Sequence, residues 1–408
     1  MNNILRSNYI NKIRDYYNSN LIKVLTGVRR CGKSVLLGQI KEDLLALKIT
    51  DKEHMISINF EDVSFAKINT YLKLNTYILK QIKDEQKYFI FLDEIQHIKQ
   101  FEKTLASLKA TQNVSIFVTG SNSKLLSGRL ATLLVGRCRE FKIMPFSYEE
   151  YLAFHKQNNL PLPSEPLLDY LRYGGMPQRL DYKNESDIKH YLDSVYSGIV
   201  NKDICGPKSK INKENFNLIA KYIIANSAKE FSAERIATYF SKNNNEDVNK
   251  RAIYRYLHKM EEACLITRVK RYDIAAKRNL KSIEKQFAID NGFILSCSSG
   301  EIISSSHALE NLVFNELLYR GYEVKIGKTY KGEIDFVVMK DKKKCFLQVT
   351  YLLSDDATIN REFGAFDSVR DPAPRFILSL DKVNMSGRGI THLYIEDWLK
   401  GKKDLILL

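Results

Sequence analysis

Residues 27–34 read Gly27-Val28-Arg29-Arg30-Cys31-Gly32-Lys33-Ser34, which fits the G-x-x-x-x-G-K-S pattern of a phosphate-binding loop. An apolar strand at 21–25 precedes this pattern, and the residues from 33 to 47 have helical spacing. The two glycines allow backbone turns that direct successive N–H groups at a phosphate, and the N-terminus of the new helix faces the same charge. The Lys33 ammonium can reach the β- and γ-phosphates, and the Ser34 hydroxyl can bind Mg²⁺. We therefore predict a nucleotide site formed by this loop and Val35.

Composition sets the outer bounds on the class of protein. The chain has 408 residues, 44% of them hydrophobic and 27% charged, which predicts two or three soluble domains. No apolar run approaches the ~18 residues that span a bilayer, and Arg6 precedes any apolar run, so we expect neither a membrane segment nor a signal peptide. The six cysteines and seven histidines are scattered, which indicates reduced cytoplasmic thiols and no zinc site. The net charge of +15 favours a polyanionic partner.

A second apolar run, Tyr88 to Leu92, leads directly into the carboxylates of Asp93 and Glu94. This pattern is typical of a buried parallel strand that delivers acidic residues to its carboxyl end. In a phosphate-loop enzyme Asp93 would hold the Mg²⁺, and Glu94 would orient and deprotonate an attacking water. The alternative is that the two acids cap the next helix.

The strand predicted at 115–119 is followed by further polar residues, among them Ser121 and Asn122. Their side chains could contact the γ-phosphate or the attacking water, or they could cap the helix that begins near residue 124, and both interpretations remain open. Arg129 and Arg137 are candidates for stabilising transition-state charge, in their own chain or across a subunit interface. The alternative for each arginine is a surface charge.

Several motifs occur together in an order that resembles a large family of prokaryotic ATPases. They are the loop at 27–34, Leu92-Asp93-Glu94, Thr119-Gly120-Ser121, the segment 144–151 containing Pro145-Phe146-Ser147, and Tyr173-Gly174-Gly175-Met176-Pro177. Members of that family join an AAA+-like ATPase domain to a winged-helix segment and a C-terminal domain related to the PD-(D/E)XK nuclease fold. The resemblance implies that an extra strand separates the strands carrying the loop and the acidic pair. It also implies that Pro177 lies near the nucleotide base.

The predicted fold class is α/β, with four parts. They are a P-loop NTPase (AAA+-like) core at 1–145, a helical lid at 146–205, a winged helix-turn-helix at 206–285, and a nuclease-like α/β domain at 286–408. Residues 202–285 contain 19 Lys or Arg against 10 Asp or Glu, a net charge of +9. A helix at 249–263 carrying Arg251 and Arg255 would suit contacts with DNA phosphates. The alternative is a module that packs against protein.

The C-terminal part keeps only a portion of the nuclease pattern. Asp335 occupies the first acidic position and Glu310 and Glu333 are nearby acids, but Gln348 and Thr350 stand where the resemblance implies Glu and Lys. A neutral amide is a poorer Mg²⁺ ligand than a carboxylate. We therefore expect this part not to cleave nucleic acid.

These observations together predict an ATPase that uses ATP and Mg²⁺ and couples hydrolysis to a conformational change in a module that binds duplex DNA or protein. One alternative is an adaptor for DNA or protein that is gated by nucleotide and hydrolyses it slowly. A second alternative is an ATP-dependent nuclease, which Gln348 and Thr350 disfavour. A small-molecule kinase is disfavoured because nothing after residue 205 resembles an acceptor pocket. The oligomeric state is left open.

Overall fold

The computed structural model describes residues 3–120, 136–206, 209–244, 248–298 and 305–406, with backbone alone at 242–244 and 281–284. The chain divides into two compact units. The first contains residues 1–144 with 262–264, and the second contains residues 145–261 with 265–408. Among the described residues, no helix is both long and apolar enough to cross a membrane.

The first unit is built on a five-stranded parallel sheet with the order β2-β3-β4-β1-β5. Its strands are β1 Ile22–Thr26, β2 Met55–Asn59, β3 Tyr88–Asp93, β4 Val114–Thr119 and β5 Cys138–Lys142. Every residue of β1, β3 and β4 is buried, as their nearly continuous apolar sequences require of central parallel strands. Because β4 lies between β1 and β3, the prediction of an extra strand between the loop and the acidic pair is confirmed.

Among the described residues of this unit, which leave out 121–135, the α-helices are α1 Ser7–Arg14, α2 Lys33–Ala46, α3 Tyr71–Gln81 and α4 Phe101–Thr111. A continuous apolar core joins Leu74 and Ile78 of α3 and Leu105 and Leu108 of α4 to the strand residues. Each such side chain contributes about 1.5–3 kcal/mol when it is fully buried. The helices are therefore held to the sheet through this shared apolar core.

The second unit begins with six helices: α5 Tyr148–Gln157, α6 Pro166–Tyr173, α7 Glu185–Ile199, α8 Lys213–Ala225, α9 Ala233–Asn244 and α10 Lys250–Glu262. The Ser147 side chain accepts from Glu150 N while Glu150 accepts from Ser147 N, a reciprocal pair that starts α5. Tyr148 and Tyr151 share a core with the C-terminal sheet. The segment predicted as a lid, 146–205, is therefore part of the same unit as the C-terminal residues.

A seven-stranded mixed sheet completes the second unit, in the order β12-β11-β10-β9-β8-β6-β7. The strands are β6 Ile266–Asp273, β7 Arg278–Ala288, β8 Glu323–Lys328, β9 Glu333–Lys340, β10 Lys343–Val349, β11 Arg375–Ser379 and β12 Thr391–Tyr394. Its helices are α11 Asn291–Cys297, α12 Ser305–Tyr319, α13 Asp356–Gly364 and α14 Ile395–Leu399. Asp341 and Lys342 both have positive φ, 51° and 67°, as a two-residue hairpin turn between β9 and β10 requires.

The boundary predicted at 285/286 is wrong, because it falls inside β7. Strands β6 and β7 form an antiparallel hairpin, and β6 also pairs in parallel with β8 over Arg271–Asp273. The C-terminal end of the predicted winged helix-turn-helix thus lies in strands at the edge of the seven-stranded sheet. Sequence periodicity does not show which sheet a strand joins, since that depends on pairing between distant segments.

Lys23 is a fully buried lysine on the central strand β1. Its Nζ donates to Ser115 Oγ at 2.7 Å and lies 4.5 Å from the centroid of the Phe117 ring. In the part of the chain that the structure describes, no carboxylate pairs with it. Burial, with smaller effects from Lys109 and Lys87, lowers the pKa of Lys23 to about 7.

This environment predicts that the first unit becomes more stable as the pH rises from about 7 to about 10, with a slope of at most about 1.4 kcal/mol per pH unit. In that window the unfolded chain holds the Lys23 proton and the folded chain does not. Lys23→Met should raise stability at neutral pH and remove the Lys23 part of this slope. Urea unfolding at several pH values measures the free energy of unfolding and its slope with pH. Lys52→Met, which changes an exposed lysine, is the control. Equal pH slopes in wild type and Lys23→Met would show that Lys23 is charged when folded.

Candidate functional site

The phosphate loop has the backbone that its glycines predict. Gly27 has φ 150° and Gly32 has φ 97°, and Arg30 between them has φ 67°. A Cβ on Gly27 would lie 2.3 Å from Ile143 O, so a side chain there would displace the backbone that follows β5. Gly32 immediately precedes α2, whose first-turn N–H groups and dipole favour an anion. The loop thus ends at a helix terminus suited to a phosphate.

Within the loop, buried and exposed side chains have different tasks. Val28 and Cys31 are buried, and Cys31 Sγ donates to Ile143 O at 3.4 Å. Arg30, Ser34 and Val35 are exposed. The Arg29 guanidinium lies 3.7 Å from the Glu61 carboxylate, just beyond the end of β2. The buried side chains hold the loop, and the exposed ones remain accessible to a ligand.

Lys33 is 4% exposed, and its ammonium donates to Gly27 O and Val28 O, both at 3.1 Å. An ammonium has three N–H donors, so these two carbonyls account for two of them. The bonds hold Nζ across the loop backbone, which is where phosphate oxygens would be bound in a loop of this type. The contact of Lys33 with the β- and γ-phosphates stays a prediction.

The acidic pair is joined to the neighbouring strand through a hydroxyl. Asp93 is the last residue of β3 and is 7% exposed, and its Oδ1 accepts a hydrogen bond from Thr119 Oγ1 at the end of β4. The same Thr119 oxygen accepts from Glu94 N at 2.9 Å. Thr119 thus orients the Asp93 carboxylate and fixes the backbone at Glu94, although in the sequence it was recognised only as part of a motif. Thr119 could have been identified from the sequence, because a residue with a hydroxyl ends the strand that follows the acidic pair.

Glu94 has a left-handed backbone, with φ 56°, and is 9% exposed. A non-glycine residue in this region costs about 1–3 kcal/mol and such residues are concentrated at functional sites. Its Oε2 accepts a hydrogen bond from Gln96 Nε2. The two carboxylates have different partners, Gln96 for Glu94 and Thr119 for Asp93, so the two acids can serve different purposes.

Arg6 supports the loop from the N-terminal segment and was not predicted to do so. Its guanidinium is 2% exposed and donates to Cys31 O at 3.2 Å and to Met144 O at 3.0 Å. Its backbone N donates to Gln39 Oε1 on α2 at 3.1 Å. These bonds place a buried positive charge behind the phosphate loop.

Arg137 does not lie with the loop in its own chain. Its carbonyl accepts from Ile22 N at 2.8 Å, at the start of β1, whereas the loop follows the other end of that strand. The separation is about one strand length, roughly 13 Å. The predicted role within the same chain is therefore corrected, and a role across a subunit interface stays a prediction. The candidates Ser121, Asn122 and Arg129 lie outside the described residues.

Pro177 lies in the second unit and begins the short helix Pro177–Asp181. In the preceding turn, Gly175 N donates to Asp290 Oδ2 at 2.7 Å, and a Cβ on Gly174 would lie 1.8 Å from Asp290 Oδ1. Burial raises the pKa of Asp290 to about 6. The two glycines of this turn are therefore needed to accommodate the Asp290 carboxylate. The contact of Pro177 with a nucleotide base stays a prediction.

The oxygen ligands at the carboxyl edge suit Mg²⁺ shared with phosphates. The Ser34 hydroxyl and the Asp93 carboxylate are hard donors, and Mg²⁺ is usually held by one or two carboxylates together with substrate phosphates. Within the described ranges, no group of three or more His, Cys, Asp or Glu is arranged to hold a metal ion. A metal at this edge would therefore depend on the phosphates of the nucleotide.

Comparison with known proteins agrees with this site. A family model described as "AAA domain" matches residues 19–152. The chain is 30% identical to an uncharacterised protein of Haemophilus influenzae, over 97% of this chain and 98% of that protein. It is 31% identical to an uncharacterised protein of Methanocaldococcus jannaschii, over 90% of this chain and 81% of that protein. The chain belongs to a family of AAA-domain proteins. The family and the fold support nucleotide binding and hydrolysis.

Two further matches concern the fold and the second unit. A Walker-type ATPase of Pyrococcus abyssi matches 72% of this AAA-domain chain and 95% of its own, with a TM-score of 0.51 at 15% identity, which is a likeness of fold. A model described as "Domain of unknown function (DUF8612)" matches residues 164–300.

Lys33→Ala should weaken nucleotide binding by about 10- to 100-fold or more, because a charge-assisted hydrogen bond contributes about 1.5–3 kcal/mol. Titration with a fluorescent ATP analogue measures the loss. Lys41→Ala, a lysine further along the same helix α2, is the matched control and should bind as wild type does. Undiminished affinity in Lys33→Ala would rule out the loop as the phosphate site.

Proposed function

We propose that this protein binds ATP with Mg²⁺ at the carboxyl edge of the five-stranded sheet, hydrolyses it, and transmits the change to a DNA-binding surface in its second unit. One observation carries the first part of the proposal. The buried Lys33 ammonium on the loop after β1 and the Asp93–Thr119–Glu94 link after β3 and β4 belong to the same edge of one sheet.

Each residue of the site has a task that its geometry allows. Lys33 and the N–H groups at the start of α2 bind the phosphates, while Ser34 and Asp93 are the residues that would hold Mg²⁺. When bound, the metal supplies positive charge that neutralises the transferring phosphoryl group. Thr119 holds the Asp93 carboxylate in place. Glu94, turned away by its left-handed backbone, orients water and accepts its proton.

Glu94→Gln should keep nucleotide affinity and lower kcat by about 100-fold or more, because a positioned general base contributes typically 10²- to 10⁴-fold. The substitution keeps the shape of the side chain and leaves Asp93 and Lys33 unchanged. Phosphate release and nucleotide titration measure the two properties separately. Glu53→Gln, an exposed residue before β2, is the control. A wild-type rate in Glu94→Gln would assign the base to another residue.

A basic surface on α10 supports the second part of the proposal. Lys250, Arg251, Tyr254, Arg255 and His258 are all exposed and fall on one side of the helix at spacings of three to five residues. The first ten residues of α10 carry no acidic side chain. Lysine and arginine bind phosphates, and an exposed tyrosine can pack on a sugar or base. We call these five residues the α10 surface.

The elements around the α10 surface follow the order of a winged helix. Helices α8, α9 and α10 are followed by the antiparallel hairpin β6–β7, which exposes Lys270 next to the buried Val269. In such modules the last helix enters the major groove and the hairpin contacts the backbone. The net charge of +9 over residues 202–285 favours an electrostatic contact with a polyanion. Duplex DNA is the polyanion that this order of elements fits.

Reversing the charges of Arg251, Arg255 and Lys270 to Glu should weaken duplex binding and make the slope of log affinity against log salt shallower by about 0.9 for each lost phosphate contact. Fluorescence anisotropy at several salt concentrations measures both. Reversal of Lys73, Lys80 and Lys83, exposed lysines of the first unit, is the charge-matched control. If wild type fails to bind DNA at low salt, the α10 surface serves a protein partner instead. ATP turnover with and without DNA then separates a coupled ATPase from a slow nucleotide-gated adaptor.

A further inference from the structure

A pocket of about 570 Å³ in the second unit brings together the acidic residues of the nuclease-like pattern. Glu310 enters it from α12, Glu333 and Asp335 from β9, Gln348 from β10 and Glu362 from α13. The family resemblance implies a divalent metal at this place. Whether a divalent metal fits there depends on which oxygens of these residues are free to bind it.

A lysine of β7, which is outside the nuclease pattern, lies between two of these acidic residues. Lys285 is 6% exposed, and its Nζ lies 2.9 Å from Glu310 Oε1 and 2.5 Å from Glu333 Oε1. Burial lowers the pKa of Lys285, but Glu310, Asp335 and Glu333 together raise it above its ordinary value. The group between the two glutamates is therefore an ammonium ion.

Other oxygens of the pocket accept hydrogen bonds from protein groups. Gln348 Oε1 accepts from Asp335 N at 2.7 Å, and Gln348 Nε2 donates to Glu362 Oε2 at 3.0 Å. Asp335 Oδ2 accepts from Val349 N at 2.8 Å. The second oxygen of Glu333 bonds with Arg271 Nη2 at 2.6 Å. Four oxygens of the pocket thus accept from protein donors: Gln348 Oε1, Glu362 Oε2, Asp335 Oδ2 and Glu333 Oε2.

A divalent metal does not fit this pocket, for two reasons. A cation of the protein already lies between Glu310 and Glu333, and a second positive charge beside the Lys285 ammonium would be strongly repelled. The amide of Gln348 has replaced the carboxylate that would face the metal and binds Glu362 instead. Among the described residues, no three His, Cys, Asp or Glu side chains are arranged here to hold a metal ion.

We propose that Lys285 is the built-in cation of this pocket, standing in the place of the metal and fastening the β6–β7 hairpin to α12 and β9. The ion pairs join three elements that are far apart in sequence, because Lys285 lies on β7, Glu310 on α12 and Glu333 on β9. Arg271 joins a fourth element to them, because it lies on β6 and forms an ion pair with Glu333. Both strands of the hairpin are thereby held to the nuclease-like part without metal.

The proposal predicts what happens when the ammonium is removed. Lys285→Met leaves Glu310 and Glu333 buried without their shared cation, so the melting temperature should fall by about 5 °C or more. The vacated position then offers carboxylate oxygens to a divalent ion, and Mn²⁺ should restore the melting temperature. Mn²⁺ should leave the melting temperature of wild type unchanged.

The experiment is Mn²⁺ titration of the full chain without nucleotide, followed by electron paramagnetic resonance and thermal unfolding. The control is Lys343→Met, which changes an exposed lysine of β10. In wild type and in Lys343→Met, adding Asp335→Asn should leave the amount of bound Mn²⁺ unchanged. Lys285→Met should gain one Mn²⁺ site, and Lys285→Met/Glu310→Gln should lose it again. The comparison with Asp335→Asn separates this pocket from binding at the phosphate loop.

Two results would overturn the proposal. One is Mn²⁺ binding by wild type that disappears in Asp335→Asn, and the other is a folded Lys285→Met that gains no site. If Lys285→Met does not fold, Lys285→Met/Glu310→Gln/Glu333→Gln removes the stranded charges together with the cation. Recovery of the fold in that variant supports the ion-pair role, and failure to fold contradicts it.

Discussion

The closest backbone approach in the site is that of Gly27 to the chain after β5. A Cβ at Gly27 would lie 2.3 Å from Ile143 O, the Cys31 thiol donates to the same carbonyl, and Ile143 N donates to Thr26 O at 2.7 Å. The Arg6 guanidinium joins the loop carbonyl of Cys31 to Met144 O. The loop therefore depends on the position of β5 and of the N-terminal segment, and its geometry is set before a phosphate binds.

The chemistry of the site follows from strand order. Because β4 lies between β1 and β3, its last residue, Thr119, is beside Asp93, and its hydroxyl bonds both the Asp93 carboxylate and the backbone N–H of Glu94. A side chain held by such a bond needs little reorganisation when charge develops nearby, which is the condition for electrostatic stabilisation of a transition state. Thus the arrangement of the sheet orients the Asp93 carboxylate and fixes the backbone at Glu94.

Three buried lysines show how the surroundings decide what a cation does. Lys33 donates to two loop carbonyls. Lys23 has a hydroxyl and an aromatic ring beside it, and burial lowers its pKa to about 7. Lys285 lies between Glu310 and Glu333, whose charges outweigh burial and raise its pKa. The same residue type thus lies against loop carbonyls, in an apolar core and in an internal ion pair.

The sequence by itself determined the loop, the acidic pair and the strands that carry them, because glycine spacing, apolar runs and strand-end carboxylates are local patterns. It also predicts a winged helix-turn-helix at 206–285 and a C-terminal part with Gln348 where the family resemblance implies a carboxylate. Only the tertiary structure showed that Thr119 and Arg6 support the site and that Arg137 lies at the opposite edge. It alone showed that β7 crosses the predicted domain boundary and that Lys285 pairs with Glu310 and Glu333. Each of these features depends on which distant strands pair or on where the end of a long side chain lies. Strand pairing and side-chain position do not produce a periodic pattern of apolar residues in the sequence.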